Sequence, residues 1–459
     1  MTPVLWAIAV YLAIQFGIGI WVSRRIRTEA EYLVAGRRLG YPLAIFSIFA
    51  TWFGAETIVG SAGRAHREGV SLASAEPFGY ALCLILMGLV FAAPLWRRGL
   101  TTLADLFRQR YSVKVERFAA ITLIPSSILW AAAQMRAFGS VLASSSSLET
   151  EVAVGVAAGI TIAYTMFGGL LVDAITDVIQ GVILILGLVV LGATVLWTVG
   201  GPDAARTAII EGGRLGAATA SGSWLDTLEA WAIPVCGSVV ATELVARVIA
   251  TPTATVARRS ALIAGGLYLM VGLIPVFIGI VGLQPTVAPD DPEQLIPTLA
   301  RELLPTAAYA AFVGAFISAI LSTVDSTLLV PAGLFSHNLV VPLVKAADER
   351  FKVRVARAAV VAFGITAYLL ARHAQGVFAL VEQASAFGSA GSLVVVGFGL
   401  FTHWGGPRTA LATLAAGLGA YLAGLGAEWP HPFLTSLGAA LVTYAMGAIM
   451  EAHSRWPEP

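Results

Sequence analysis

The chain has 459 residues, of which 58% are hydrophobic and only 12% are charged, and its formal net charge is +1. Soluble globular proteins carry about a quarter charged residues, so this composition excludes an ordinary soluble protein and indicates a polytopic membrane protein. The balanced charge offers no basic surface for nucleic acid. The two cysteines, Cys83 and Cys236, lie in apolar segments and lack the spacing of a metal site.

Apolar segments follow one another along the whole chain. About thirteen of them are long enough to cross a bilayer, which takes about 20 residues. We therefore expect an all-α membrane protein in a plasma or inner membrane. The predicted spans lie near 3–22, 41–60, 75–95, 118–145, 152–171, 175–199, 227–249, 260–283, 307–340, 355–371, 377–401, 407–424 and 430–450.

The basic residues are unevenly divided between the two sides of this predicted arrangement. Of the 28 Lys and Arg residues, about 21 fall in connections on one side and about six on the other. Arg136 lies inside a predicted span. Because cytoplasmic loops carry the excess of basic residues, we expect the N-terminus outside the cell and the C-terminus in the cytoplasm.

Two of the predicted spans are interrupted near mid-membrane by small, polar or proline residues. The span 41–60 carries Glu56 beside a glycine, and the span 227–249 carries Pro234 and Glu243. Counted without the first helix, these are the first and sixth spans, which are corresponding positions in two halves of five. Matched broken helices mark the binding site of inverted-repeat transporters, although glycines also serve close packing in any membrane bundle.

The span 307–340 carries an unusual polar load for an apolar helix, with six Ser, Thr and Asp residues between positions 318 and 327. Ala319, Ser322 and Thr323 stand at i, i+3 and i+4, so they share one helix face. Alkali cations bind hydroxyl and carbonyl oxygens, so we expect this face to form half of a sodium site. The alternative is that these hydroxyls bond back to their own helix and only ease packing.

Four stretches of the chain resemble the sodium:solute symporter family, whose fold is of the LeuT type. They read AGRRLG with ATWFGAETIVG, YTMFGGLLVDAITDVIQG, ARVIATPTATVARRS and FISAILSTVDSTLL. The surroundings of Trp52 and Trp130 are most similar to the choline-transporter branch. The resemblance implies a five-plus-five inverted repeat with extra helices at both ends. The implied parts are a first repeat at 41–199, a second at 227–401, and peripheral helices at 3–22 and 407–450.

The resemblance also implies a sodium site and Na⁺ as the coupling ion. In the family, two backbone carbonyls of the first core helix meet one carbonyl and two hydroxyls of the eighth. The matching positions are Ala50, Phe53, Ala319, Ser322 and Thr323.

Asp177 has two interpretations that the sequence leaves equal. It matches an acidic position that the family associates with an inner or second sodium. Alternatively, Thr176 and Asp177 open an apolar run, which is typical of the residues that cap a helix N-terminus.

A solute site is expected from aromatic and acidic side chains at membrane depth. In choline-transporting relatives aromatic side chains surround the quaternary ammonium, and Trp52 and Trp130 match two of those positions, whereas the third carries Ala241. Arg136 would neutralise a glutamate or bind a carboxylate; if it binds a carboxylate while an acidic side chain binds an amine, the solute would be a zwitterion. The predicted solute-binding residues are Trp52, Glu56, Thr57, Trp130, Gln134, Glu243 and Glu382.

Together these features predict a sodium-coupled symporter, without enzymatic activity or an obligatory protein partner, that imports a small organic solute by alternating access. The solute would be an amino acid, an amine such as choline, or another polar metabolite. One alternative is a proton-coupled transporter in which Glu56 or Glu243 carries the proton, and another is a membrane sensor. Because the sequence has neither a phosphate-binding glycine loop nor a nucleophile–base pair, neither an ATP-driven pump nor an enzyme is expected.

Overall fold

The structure is a computed structural model that describes residues 3–24, 26–71, 74–146, 148–212, 223–281, 292–373 and 376–453. Its regular structure within these ranges is helical, as the composition predicts. The first half contains α1 (Pro3–Ser23), α2 (Glu29–Val34), α3 (Tyr41–Trp52), α4 (Ser61–Glu68), α5 (Phe78–Leu86), α6 (Ala92–Arg97), α7 (Ala104–Arg110), α8 (Val113–Ser145), α9 (Thr150–Phe167), α10 (Leu170–Thr198) and α11 (Pro202–Glu211). The second half contains α12 (Trp224–Ala232), α13 (Thr242–Ile249), α14 (Ala254–Ile280), α15 (Leu295–Leu303), α16 (Thr306–Gly333), α17 (Glu349–His373), α18 (Val377–Ala386), α19 (Ser389–Phe401), α20 (Pro407–Gly426) and α21 (Pro432–His453).

The predicted spans correspond to helices in the described part of the chain. Eleven helical segments there are long and apolar enough to cross a membrane, and a twelfth forms if α2 and α3, which meet at 110°, count as one broken span. Within α1, Ile8–Ser23 is a shorter apolar helix. The eleven segments occupy the places of eleven of the thirteen predicted spans, and the other two, 3–22 and 41–60, coincide with the shorter helix and with part of the bent pair. The all-α membrane fold is confirmed. The inverted relation of 41–199 to 227–401 stays a prediction.

Helix α16 lies at the centre of the bundle. It packs against α3, α8 and α10, and nearly every side chain from Phe312 to Gly333 is buried. A helix surrounded on all sides has no lipid-facing stripe, so polar side chains on it face other helices. The polar load seen in the sequence therefore lies inside the protein, where it must be paired or used.

Both predicted interruptions are confirmed. After α3 the chain leaves the helix at Phe53 (φ −90°, ψ 66°) and resumes through a wide turn over Glu56–Gly60 that leads into α4. A similar turn over Ile233–Gly237 and a non-helical link separate α12 from α13. A side chain at Gly237 would collide with the backbone oxygen of Ser385 in α18, so the close approach of these two helices requires glycine.

Arg247 departs from its predicted location. The division of basic residues counted it with a cytoplasmic connection, but it lies within α13 and its side chain is fully buried. Its guanidinium forms an ion pair with Asp173 of α10 and contacts the Ser326 hydroxyl of α16. Burial of an arginine requires such a partner, and because the partner is distant in sequence, no local pattern revealed it.

Candidate functional site

A buried carboxylate joins three core helices beside the end of α3. Asp177 of α10 is fully buried. It accepts a hydrogen bond from the Ser47 hydroxyl of α3 at 2.6 Å and another from the Ser322 hydroxyl of α16 at 2.5 Å. Because each hydroxyl donates its single proton to Asp177, the lone pairs of both oxygens stay available to a cation.

The hydroxyl of Thr323 lies next to the broken end of α3. Its Oγ1 is 3.4 Å from the Ala50 carbonyl oxygen and 3.1 Å from the Ala319 carbonyl oxygen. The last carbonyls of a helix have no intrahelical donors, which leaves them free to bind other groups. The structure thus brings Ala50, Ala319 and Thr323 together, with Ser322 on the same face of α16 and Phe53 at the break itself.

The interpretation of Asp177 as a helix cap is wrong. Helix α10 begins at Leu170, after Gly169, whose φ of 159° only glycine adopts readily. Asp177 therefore lies about two turns inside the helix. The apolar run after Thr176 suggested a helix start, but the start is fixed by the glycine pair before Leu170.

Further buried carboxylates lie next to Asp177, and the sequence analysis did not single them out as site residues. Asp173, one turn earlier on α10, pairs with Arg247, and its Oδ2 lies 3.3 Å from the Ser326 hydroxyl. Asp325 accepts a hydrogen bond from Thr165 of α9 at 2.6 Å. Three carboxylates thus lie near one arginine, an arrangement that is typical of ion paths in membrane proteins. The spacing of Asp173 and Asp177 on one helix face was the available signal.

The other side of the α3 break carries an aromatic and acidic cluster. The rings of Trp52 and Trp130 meet edge to face, with centroids 5.2 Å apart and planes at 89°. The Trp130 indole donates to Glu56 Oε1 at 3.3 Å, and the Gln134 amide donates to Glu56 Oε2 at 2.7 Å. Gln134 Oε1 in turn accepts from the Ala55 backbone at 3.1 Å. Helix α8 thereby holds the segment that follows the break.

A cavity of about 420 Å³ opens against Trp130. It lies between α8, the link before α13, and α18, and Ala241 and Glu243 line it with Ser385. The Glu243 carboxylate accepts hydrogen bonds from the Ser127 hydroxyl and, at 3.2 Å, from the Thr242 hydroxyl. The cavity thus has one aromatic wall and one acidic wall, and alanine stands where the third aromatic wall was expected.

Two predicted solute residues lie apart from this cluster. The Thr57 hydroxyl shares a hydrogen bond of 2.7 Å with the Tyr268 hydroxyl of α14. Glu382 of α18 is partly exposed and does not line the cavity. Of the predicted solute residues only Trp130 and Glu243 line the cavity, whereas Trp52, Glu56 and Gln134 adjoin it through their contacts with Trp130 and with one another. Tyr268 was not foreseen, because α14 carries no polar pattern that marks one position.

Arg136 is also separated from the glutamates. It lies two residues beyond Gln134, about 200° further round α8, and it donates to the Ala371 carbonyl oxygen at 3.3 Å. No carboxylate in the described ranges forms an ion pair with it. The expectation that Arg136 neutralises a solute-site glutamate is therefore wrong. The other alternative, that Arg136 binds a carboxylate, stays a prediction.

The chain is similar to known membrane transporters. The sodium:solute symporter family matches residues 32–417. The high-affinity choline transporter 1 of Caenorhabditis elegans is 27% identical over 82% of this chain and 69% of its own length. The high affinity choline transporter 1 of Homo sapiens is 28% identical over 82% of this chain and 68% of its own length.

A solved structure shares the fold across the whole molecule. A Na⁺-coupled sialic acid symporter in a substrate-bound outward-open state superposes with a TM-score of 0.86, over 99% of this chain and 98% of its own, at 18% identity. At that identity the likeness concerns the fold alone, which is of the LeuT type. The chain therefore belongs to the sodium:solute symporter family and is a membrane symporter that couples the movement of a small organic solute to sodium.

Proposed function

We propose that this protein imports a small amine or quaternary ammonium compound, chemically similar to choline, together with Na⁺. The solute is not altered, and entry is by alternating access across a plasma membrane, with the N-terminus outside. One observation carries the proposal. The short stretch around the α3 break contacts the oxygen-rich face of α16 through Ala50 and the aromatic and acidic cluster through Ala55 and Glu56.

The ion site of this proposal consists of neutral oxygens with one charge behind them. Na⁺ would bind the carbonyl oxygens of Ala50, Phe53 and Ala319 and the hydroxyls of Ser322 and Thr323. Asp177 orients one of these ligands. The Ser322 hydroxyl donates its proton to Asp177, so its lone pairs remain available to Na⁺. The carboxylate also supplies the negative charge that a buried cation requires.

The solute site follows from the chemistry of the cluster beside Trp130. Tryptophan faces attract ammonium groups within about 6 Å of the ring centroid, by up to about 2 kcal/mol when water is excluded. Glu243 adds negative charge from the cavity wall, and Glu56 adds charge from outside the lining, where it accepts a hydrogen bond from the Trp130 indole. Because Ala241 replaces an aromatic wall, the cavity accepts a bulkier ammonium compound than choline itself. The similarity to choline transporters supports the class of solute.

Coupling is explained by the shared break. Sodium bound between α3 and α16 would fix the end of α3 and thereby hold Trp52 and Glu56 in place for the solute. Linkage requires that the solute raise sodium affinity by the same factor, typically worth 1–3 kcal/mol. With both ligands bound, the two halves would move together to the inward-open state.

A second candidate is proton coupling through Glu243. Its carboxylate is buried, and its side-chain hydrogen-bond donors are the hydroxyls of Ser127 and Thr242. Buried acids of this kind carry protons in other transporters. Dependence on pH would then replace dependence on sodium.

Uptake into proteoliposomes tests the proposal. Radiolabelled choline and a bulkier trialkylammonium alcohol are offered with an inward Na⁺ gradient, with K⁺ in its place, and with a proton gradient alone. We expect uptake only with the Na⁺ gradient and faster uptake of the bulkier compound. Uptake that follows the proton gradient and ignores Na⁺ would select Glu243 as the coupling group. No Na⁺-driven uptake of either ammonium compound, while a neutral or anionic solute offered in parallel is taken up, would overturn the solute class.

A further inference from the structure

A second cavity, of about 660 Å³, lies apart from the solute cavity. On α8, Arg136 in the wall of this cavity lies about 9 Å further along the helix axis than Trp130 of the solute cavity. The walls come from α8, α15 with the turn before it, the start of α16, and the start of α18. We call it the Arg136 cavity; its principal residues are Arg136, Ser140, Glu293, Tyr309, Phe312 and Phe316.

The Arg136 cavity has an excess of hydrogen-bond donors. The Arg136 guanidinium, with five N–H groups, makes one hydrogen bond to protein, to the Ala371 carbonyl oxygen. Within the described ranges neither the Tyr309 nor the Ser140 hydroxyl has a protein partner. A serine in a helix commonly bonds to the carbonyl one turn earlier, and Ser140 does not. The cavity therefore presents one positive charge and two hydroxyls without a matching acceptor.

The carboxylate of the cavity wall does not supply that acceptor. Glu293 Oε1 accepts from the Phe378 backbone at 3.1 Å and Oε2 from the Val377 backbone at 3.3 Å. It therefore binds the first turn of α18, where free N–H groups and the helix dipole stabilise negative charge. The charge of Arg136 is left for another partner, because an arginine at this depth normally has a counter-charge.

We propose that the Arg136 cavity binds a monoanionic organic acid. Its carboxylate would accept hydrogen bonds from Arg136, Tyr309 and Ser140, since the planar guanidinium matches the two oxygens of a carboxylate. An apolar or aromatic body would pack against Phe312 and Phe316, the apolar side of the cavity. The inference does not rest on the proposed function, because it concerns a different cavity, one lined by Arg136.

Thermal unfolding of the full-length protein in a non-ionic detergent tests the site. The probes are phenylacetate, its neutral counterpart 2-phenylethanol, and its cationic counterpart phenethylamine, all at fixed Na⁺. We expect phenylacetate alone to raise Tm, by an amount that grows with the logarithm of its concentration above the Kd. Arg136→Gln raises the apparent Kd for phenylacetate about tenfold or more. The matched control is Arg372→Gln. It removes an arginine that is adjacent to Ala371 and pairs with Glu151, and we expect this variant to keep the phenylacetate response.

If Arg136→Gln does not fold, a second variant still tests the proposal. Ser140→Phe fills the cavity from the next turn of α8 and keeps the guanidinium, so it abolishes the phenylacetate response and leaves the Na⁺ response intact. Equal rises with the acid and the alcohol, an undiminished response in either variant, or no rise with phenylacetate in the parent protein would each overturn the proposal. The proposed function is tested by Na⁺-driven uptake, and the Arg136 cavity is tested by thermal unfolding. Either proposal can therefore fail without affecting the other.

Discussion

Two buried carboxylates flank the break in α3, and they differ in the groups that hold them. Asp177 accepts hydrogen bonds from two hydroxyls, those of Ser47 and Ser322. Glu56 accepts from two N–H groups, the Trp130 indole and the Gln134 amide. A hydroxyl that donates its proton still has lone pairs for a cation, whereas an indole N–H has none. The donors, more than the carboxylates, therefore decide which side of the break suits an ion.

The same difference separates the two ligand classes. On the Asp177 side a small, hard cation can bind several oxygens at once, because carbonyl and hydroxyl oxygens lie close together there. On the Glu56 side the carboxylate is held in place, and the tryptophan faces offer attraction over a broad surface, which suits a large organic cation. Variants on the two sides are thus expected to affect different ligands.

The largest effect is expected from the double variant Ser322→Ala with Thr323→Ala. It removes both hydroxyl ligands, so the sodium concentration for half-maximal transport rises about 100-fold or transport is lost. The matched control is Thr327→Ala, whose hydroxyl bonds to carbonyls of its own helix. Sodium dependence of uptake is the measurement, and an unchanged dependence in the double variant would remove the site assignment.

A smaller effect on sodium is expected from Asp177→Asn. The amide oxygen can still accept from Ser322, but the negative charge is lost, so half-maximal transport needs about tenfold more sodium. Ser47→Ala keeps the charge and removes one hydrogen bond, so a shift of only a few-fold is expected. If the two variants shift the sodium requirement equally, the charge of Asp177 plays no part in ion binding.

On the other side of the break, Glu56→Gln is expected to raise the KM for an ammonium solute about tenfold, because the charge that faces the cluster is lost. The sodium requirement changes less, and only through linkage. The control is Glu382→Gln, the same change at a partly exposed position apart from the aromatic and acidic cluster. Kinetics with varied solute and varied sodium separate the two effects. A larger KM change in Glu382→Gln would contradict the location of the solute site.

The smallest effect on transport is expected at Asp105, a carboxylate of α7 outside the spans. Burial raises the pKa of Asp105, but His337 and the backbone N–H groups of Thr101 and Thr102 outweigh it and the pKa is lowered. A lowered pKa stabilises the fold at neutral pH, and that contribution is lost as pH falls below about 4. Asp105→Asn is therefore expected to lower Tm at pH 7, by less in acid, with an unchanged sodium requirement. A pH-independent Tm difference would contradict this role.

The sequence was informative wherever the physical signal is local. Hydropathy located the spans, and glycine or proline located both helix breaks, since these residues act on their own backbone. The polar face of α16 was visible because Ala319, Ser322 and Thr323 are neighbours on one helix. The family resemblance aligned Ala50 and Phe53 with that face, which periodicity alone does not do.

The remaining parts of the site depend on contacts between distant segments. Ser47 and Asp177 are 130 residues apart, and Asp177 and Ser322 are 145 apart. Arg247 was counted with a loop because its neighbours in sequence do not reveal its partner. That partner, Asp173, lies 74 residues away. The spread of predicted solute residues to Thr57 and Glu382 has the same cause, because depth in the membrane does not say which way a side chain faces.

Sodium binding can be measured without transport, by titrating NaCl or KCl into the purified protein and following its thermal unfolding. A ligand that binds only the folded state raises Tm, and above its Kd the rise grows with the logarithm of ligand concentration. We expect such a rise with Na⁺ and none with K⁺, preserved in Thr327→Ala and absent in the Ser322→Ala, Thr323→Ala double variant. An equal rise in both salts, or a Na⁺ response that persists in the double variant, would contradict a sodium site between α3 and α16.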